Sequence, residues 1–330
     1  MHSRSASALV PDEVRLAVAY AGVCGTDLAL YSGDYPVALP LVLGHEFSGV
    51  VEAVGSARDS AWVGRRVTAE INNSCIAHGR KELCEACRRS MPTHCRRRTV
   101  LGIVQHDGAF AQHVIVPAGN LHALPENVSL REAIFVEPLA AALQTFEMTP
   151  LRAGDKVAIL GLGRLGLLIA IVAKTMGAKV MGLARSPDKL ERARLFGIVT
   201  CDAAQSEAAN THVADWTEGL GADIVVEATG TPNGLHDAIE LVRPRGVVAL
   251  KSTPGLPVEK LDLTRIVVDE ICLQGSRCGP FEKALEFLNK EKPNLSRLIS
   301  AEFPLQQVRE ALEAAATTGK VLLRCNDNLE

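Results

Sequence analysis

Four cysteines, Cys75, Cys84, Cys87 and Cys95, crowd into one short segment of the chain. In a chain expected to be cytoplasmic, such a cluster points to metal binding or catalysis before disulfides. Four thiolates around one metal ion would leave no open coordination position, which suits holding a loop with little core of its own. A second chemistry lies in Gly161-Leu-Gly163-Arg164-Leu165-Gly166. The first glycine allows a tight turn, the second lets backbone approach a pyrophosphate, and the third lets a helix pack close to a sheet. The helix that opens there offers free N–H groups and partial positive charge to phosphates. About 20 residues on, where an NAD enzyme usually carries an acid for the ribose 2′-hydroxyl, the chain reads Gly182-Leu-Ala184-Arg185-Ser186-Pro187. Ala184 removes the charge that would repel a 2′-phosphate, while Arg185, Ser186 and Lys189 can bind one. The reading is therefore NADP in preference to NAD.

These residues need elements to hold them. Lys156 to Leu160 reads as a short apolar strand, and Leu165 to Met176 as a helix. The strand Lys179 to Leu183 and the helix Pro187 to Phe196, closed by Gly197, follow. Next come the strand Asp223 to Glu227, the helix Pro232 to Leu241, and the strands Gly246 to Leu250 and Ile271 to Gly275. Alternation of this kind predicts an α/β fold with a doubly wound parallel sheet. Thr229, just past a strand end, and Arg277, after the last of these strands, join the expected cofactor-binding residues. The first third differs: Val14 to Ala19, Gly49 to Val54, Arg66 to Glu70 and Phe110 to Val116 are short β-like runs between Gly, Pro and Asp. The chain ends on helices at Phe281 to Glu291 and Leu305 to Ala316 and a strand at Lys320 to Arg324.

With 330 residues, the chain exceeds what one core usually organises, so two domains are expected. A net charge of −3 argues against a general nucleic-acid binder. The arginines at 88, 89 and 96 to 98 read as a solvated loop surface. The first residues hold no apolar leader, and the longest apolar stretch, Leu165 to Ala173, is far short of the ~20 residues that span a bilayer. The expectation is a soluble cytoplasmic protein with no membrane or nucleic-acid partner. Cys201, Cys272, Cys278 and Cys325, in apolar contexts, read as core residues.

Two strings complete the pattern: Gly22-Val-Cys24-Gly-Thr26-Asp27, and Gly44-His45-Glu46-Phe-Ser-Gly49 with Gly55 six residues later. With the Gly-rich turn behind them, they resemble the zinc-containing medium-chain dehydrogenase/reductase family, on its polyol and threonine dehydrogenase side. The resemblance covers nearly the whole chain. It implies a GroES-like catalytic domain, residues 1–137 and 279–330, with a zinc lobe at 75–95, and a Rossmann domain, residues 138–278. It implies catalytic zinc held by Cys24, His45 and Glu137, the last either as a direct ligand or as the holder of a zinc-bound water, with Glu46 near the metal as an exchangeable ligand; thiolate and imidazole suit zinc, and three protein ligands leave a fourth place open. Asp27 would orient His45 through its other ring nitrogen. Thr26 would take the alcohol proton, and Ala29 stands where many relatives continue that relay with His. Cys84-x2-Cys87-x7-Cys95 matches the last three ligands of the family's structural zinc loop; Cys75 is the expected first ligand and His78 its rival. Tyr31, Leu43 and Phe47 lie near enough to face substrate.

The implied function is hydride transfer between a secondary alcohol, polyol or sugar-like substrate and NADP(H) or NAD(H), by a homodimer or homotetramer. Zinc-free quinone or enone reductases and non-catalytic cofactor-binding proteins share the fold, but they need neither Cys24 nor the Gly-His-Glu string.

Overall fold

The computed structural model describes residues 8–253, 255–259 and 261–329. The segment read as lacking a leader, residues 1–7, lies outside them. The chain forms two compact units, one of residues up to 137 together with those from 281 on, the other of residues 138–280.

Alternation builds the first unit. In β1 (Glu13–Gly22), Val14, Leu16 and Val18 are fully buried while Glu13, Arg15 and Ala17 are only half-buried, the period-two pattern of a strand with one inward face. After it come α1 (Gly25–Ser32), β2 (Glu46–Val54), β3 (Arg66–Ala69), β4 (Asn72–Asn73), α2 (Glu85–Arg88), β5 (Thr99–Leu101) and β6 (Gln105–His106). Then β7 (His113–Pro117), β8 (Leu121–Ala123), α3 (Leu130–Ala133) and α4 (Val136–Met148) lead out of the unit. β1 pairs antiparallel with both β2 and β7, placing Gly22 opposite Glu46. The short strands β4, β5 and β6 make a separate small sheet.

In the second unit, strands and helices alternate: β9 (Lys156–Leu160), α5 (Arg164–Thr175), β10 (Lys179–Ala184), α6 (Pro187–Arg194), β11 (Val199–Asp202), α7 (Ser206–Trp216), β12 (Ala222–Glu227), α8 (Gly234–Leu241), β13 (Val242–Leu250), α9 (Leu263–Val268) and β14 (Cys272–Gly275). All six strands run parallel in the order β11-β10-β9-β12-β13-β14. The order reverses between β9 and β12, which is where a doubly wound sheet opens its ligand crevice. Residues on both sheet faces are apolar, because helices cover each face.

The chain then adds α10 (Phe281–Glu291), β15 (Ile299–Pro304), α11 (Val308–Thr317) and β16 (Lys320–Arg324) to the first unit. β16 pairs with β1, setting Leu322 opposite Gly22. Several expected bounds shift. The helix read from Pro187 stops at Arg194, and the one read from Pro232 begins at Gly234. Cys272 is exposed and Cys278 half-buried, while Cys201 and Cys325 are buried as expected. Edge position explains Cys272: among the described residues, β14 has no strand beyond it. Among the described residues, no helix is long and apolar enough to cross a membrane.

Candidate active site

Cys24 is the N-cap of α1, so a strand end and a helix start meet at its thiol. Asp27, one turn in and fully buried, reaches back to accept the Cys24 N–H at 2.8 Å. Its other oxygen accepts the Gly44 N–H at 3.2 Å, just before His45. One carboxylate thus grips both chain segments that carry the chemistry. It also lies 3.2 Å from His45 Nδ1, at ion-pair distance though without hydrogen-bond geometry.

The ligand atoms of Cys24, His45 and Glu46 lie within 4.8 Å of one another. Burial pushes the Cys24 thiol up, but the charge of His45 and a hydrogen bond to it outweigh burial and leave the thiol below its ordinary value. Burial pulls His45 down, yet Asp27 and Cys24 raise it well above the usual imidazole range. A thiol, an imidazole and a carboxylate whose ligand atoms converge in this way form a donor set that fits zinc.

Glu46 has a partner that no motif indicated: Lys320, the first residue of β16, donates to its carboxylate. Both side chains are buried, and burial brings Lys320 down to about 8 against the charges of Cys24 and Asp27. A Cβ on Gly22 would meet Glu46 Oε2 at 2.6 Å and Lys320 Cε at 2.9 Å, so any side chain at this position of β1 would push the pair aside.

Thr26 is close by, with the Cys24 thiol 3.9 Å from its hydroxyl oxygen. Phe47 is buried and Tyr31 is about half exposed. The structure does not bring Glu137 into the thiol–imidazole group, and Glu46 supplies the carboxylate there instead. Glu137 starts α4, where its charge acts on Glu70. Burial first, then Glu282 and Glu137, push Glu70 up to about 7. Glu70 gave no signal beyond the end of an expected strand.

The four cysteines of the lobe converge. Cys95 Sγ lies 3.5 Å from that of Cys75 and 3.6 Å from that of Cys84, and all four sulfurs lie within 4.8 Å of one another. The thiols are free of disulfides. His78 is not among them: its Nδ1 lies 2.6 Å from Asp12, which ties the lobe to the start of the chain. Hydrogen bonds from the backbone of Cys87 and Arg96 lower the Cys84 thiol to about 6, and burial with bonds to its neighbours raises Cys87 to about 12.

In the second unit, Gly161 has φ 93, and a Cβ on it would strike the Ala228 carbonyl oxygen at 2.6 Å. Gly163 caps α5, and Arg164, Leu165 and Gly166 form its first turn. Ala184 ends β10, Arg185 is exposed beyond it, Ser186 caps α6, and Lys189 lies in that helix. Thr229 and Arg277 are exposed past the ends of β12 and β14, and the Arg277 carbonyl accepts from Lys251 Nζ at 2.8 Å.

Known proteins share this plan. The alcohol dehydrogenase GroES-like domain profile matches residues 10–126, and the zinc-binding dehydrogenase profile matches residues 165–290. A sorbitol dehydrogenase of Halalkalibacterium halodurans is 35% identical, with 92% of this chain and 88% of that protein covered. The chain belongs to the zinc-type medium-chain dehydrogenase/reductase family. Two solved structures align along most of their length. One is a short chain alcohol dehydrogenase from E. coli CFT073 complexed with NADH: 30% identity, TM-score 0.88, 97% and 94% covered. The other is a zinc-binding dehydrogenase from Sinorhizobium meliloti bound to NADP: 30% identity, TM-score 0.86, 96% and 93% covered. Zinc and a nicotinamide cofactor come with the family, and the first unit is its GroES-like fold.

Proposed function

We infer that the protein is a zinc-dependent dehydrogenase that moves hydride between a secondary alcohol, polyol or sugar-like substrate and a nicotinamide dinucleotide. The observation that carries this is the meeting of Cys24, His45 and Glu46 in one buried group. In this reading these three hold the catalytic zinc, and Cys75, Cys84, Cys87 and Cys95 hold a structural one. The catalytic zinc supplies the Lewis acidity that lets an alcohol O–H ionise near neutral pH. Asp27 fixes the Cys24 and Gly44 amides, and with them the thiol and imidazole. Lys320 holds the Glu46 carboxylate in its buried place. Thr26 takes the alcohol proton, and Ala29 cannot pass it on, so it leaves through water or cofactor hydroxyls.

NADP is the preferred cofactor in this reading. The support is the neutral Ala184 at the end of β10 and the exposed Arg185 beyond it, able to pair with a 2′-phosphate. A panel of polyols, sugars and secondary alcohols, each with NADP and NAD and followed by absorbance of the reduced cofactor, tests both points. The expected result is turnover of at least one vicinal diol or polyol, higher kcat/KM with NADP, and about two zinc ions per chain. No turnover with any alcohol or carbonyl would end the enzymatic reading, and higher kcat/KM with NAD would end the cofactor preference.

The same reading includes a homo-oligomer, a dimer or a tetramer, in the cytoplasm. β14 ends its sheet with Cys272 exposed and Leu273 37% exposed, and on α9 Leu263, Val267 and Val268 are 62 to 73% exposed. An open edge with apolar neighbours favours pairing with a second copy. Sedimentation should give at least twice the chain mass, and a single-chain mass would contradict it. Nine free cysteines suit a reducing compartment, and recovery of the protein from an oxidising one would contradict that placement.

A further inference from the structure

We propose that Glu227 is a positioning residue for the dinucleotide, its carboxylate clamping the loops after β12 and β13 where the nicotinamide-ribose half lies. The proposal rests on the dinucleotide reading of the second unit.

Glu227 ends β12, level with Leu160 of β9 on one side and Leu250 of β13 on the other. It therefore stands at the point where the strand order reverses, at the carboxyl edge of the sheet. A dinucleotide bound there sets its pyrophosphate on the first turn of α5 and its adenosine ribose at the tip of β10. The other half must then run the opposite way, over the ends of β12 and β13.

At this edge the side chain is buried, with 4% exposed. The strand interior before it is apolar, Val225 and Val226, so packing alone does not ask for an acid here. Its donors do. One oxygen accepts the Thr229 N–H at 2.8 Å and the Thr229 hydroxyl at 2.5 Å, and the other accepts the Ser252 hydroxyl. An ionised carboxylate accepts only, so one group satisfies donors from two loops at once. The grip spreads outward: the Thr231 N–H bonds the Thr229 hydroxyl oxygen at 3.1 Å, and Lys251, beside Ser252, reaches the Arg277 carbonyl at 2.8 Å and the Ser276 hydroxyl at 3.2 Å. A Cβ on Gly234, the first residue of α8, would come within 2.3 Å of both Glu227 Oε1 and Thr229 Oγ1. Meanwhile Ala228 and Thr229 press against Gly161, the glycine that starts the phosphate turn. A shift of the clamp is therefore a shift of the walls around the nicotinamide half, with the β10 tip left alone.

Calorimetric titration with whole dinucleotides and with their adenosine halves tests this. Wild type, Glu227→Gln and Ser252→Ala are each titrated with NADPH, NADH, 2′-AMP and AMP, and their melting temperatures are recorded. Glu227→Gln should weaken the better dinucleotide about tenfold, the effect of losing charge-assisted bonds. Its affinity for the adenosine halves and its melting temperature should stay near wild type. Ser252→Ala keeps the carboxylate and should weaken the dinucleotide less, in the same direction; it decides the matter if Glu227→Gln does not fold. Equal weakening for whole and half ligands would show general damage and overturn the clamp, as would wild-type dinucleotide affinity in both variants. A wild type that binds no dinucleotide would bring down the dinucleotide reading itself, and the clamp with it.

Discussion

Replacing His45 with Ala lowers kcat/KM for an alcohol substrate by at least about a thousandfold and halves the zinc content, while the second zinc stays. Lewis-acid stabilisation of developing charge contributes several kcal/mol, and each ~1.4 kcal/mol is tenfold in rate. Among the described residues the group consists of Cys24, His45 and Glu46, so losing the imidazole leaves only two of its three donors. Asp27→Asn should behave differently. It keeps the ligands but weakens the grip on the Cys24 and Gly44 amides, and the loss should be about 10- to 100-fold, as for other groups that orient metal ligands. Kinetics and metal analysis on both variants separate the roles. Full zinc content or near wild-type turnover in His45→Ala would remove His45 from the metal and leave the proposed chemistry without its centre.

Most of this site could be read from the chain because its parts sit in short strings. Cys24 and Asp27 are one helical turn apart, and His45 and Glu46 are adjacent, so local spacing carries their relation. The phosphate turn is also local: a strand, three glycines and a helix in direct succession. Lys320 shows the opposite case. It is 274 residues from Glu46, and a lysine flanking an apolar strand ordinarily faces water. Only the pairing of β16 with β1 carries it inward. Glu137 shows a third case. Its residue type suits a metal ligand, but its place depends on how α4 packs, and in that packing it stands by Glu70. The fold divides the same way. Strands with period two, such as β1, are legible; α4 was not, because Leu139, Ala140 and Ala142 lie on an apolar helix buried on several sides, which blurs the helical period. Nor were β4 and β6, since two residues hold no period at all.

The four-cysteine lobe leads to the other large effect. Cys95→Ser should remove about one zinc per chain, expose the segment around residues 75–98 to protease and lower the melting temperature by several degrees. Structural zinc in small peptides contributes as much as about 10–16 kcal/mol of folding energy, because without it the ligand loop has nothing to collapse on. The same poverty is visible here. The buried cluster of the lobe consists of Cys75, Cys87 and Cys95, with the partly buried Leu83 and Cys84 packed on it. Cys95 is its centre, fully buried, close to two other sulfurs and accepting the Arg97 N–H at 3.4 Å. The rest of the unit has its own sheet around β1, and His78 still holds Asp12, so the damage should stay local. Leu83→Ala gives the comparison: it trims the apolar contact but spares the sulfurs, so its zinc content should remain at wild type and its protease resistance should change little. If Cys95→Ser kept both ions and its protease resistance, the lobe would be held by its few side-chain contacts alone. That outcome is hard to reconcile with a core made almost wholly of thiols, one of them already lowered to about 6 by the amides around it.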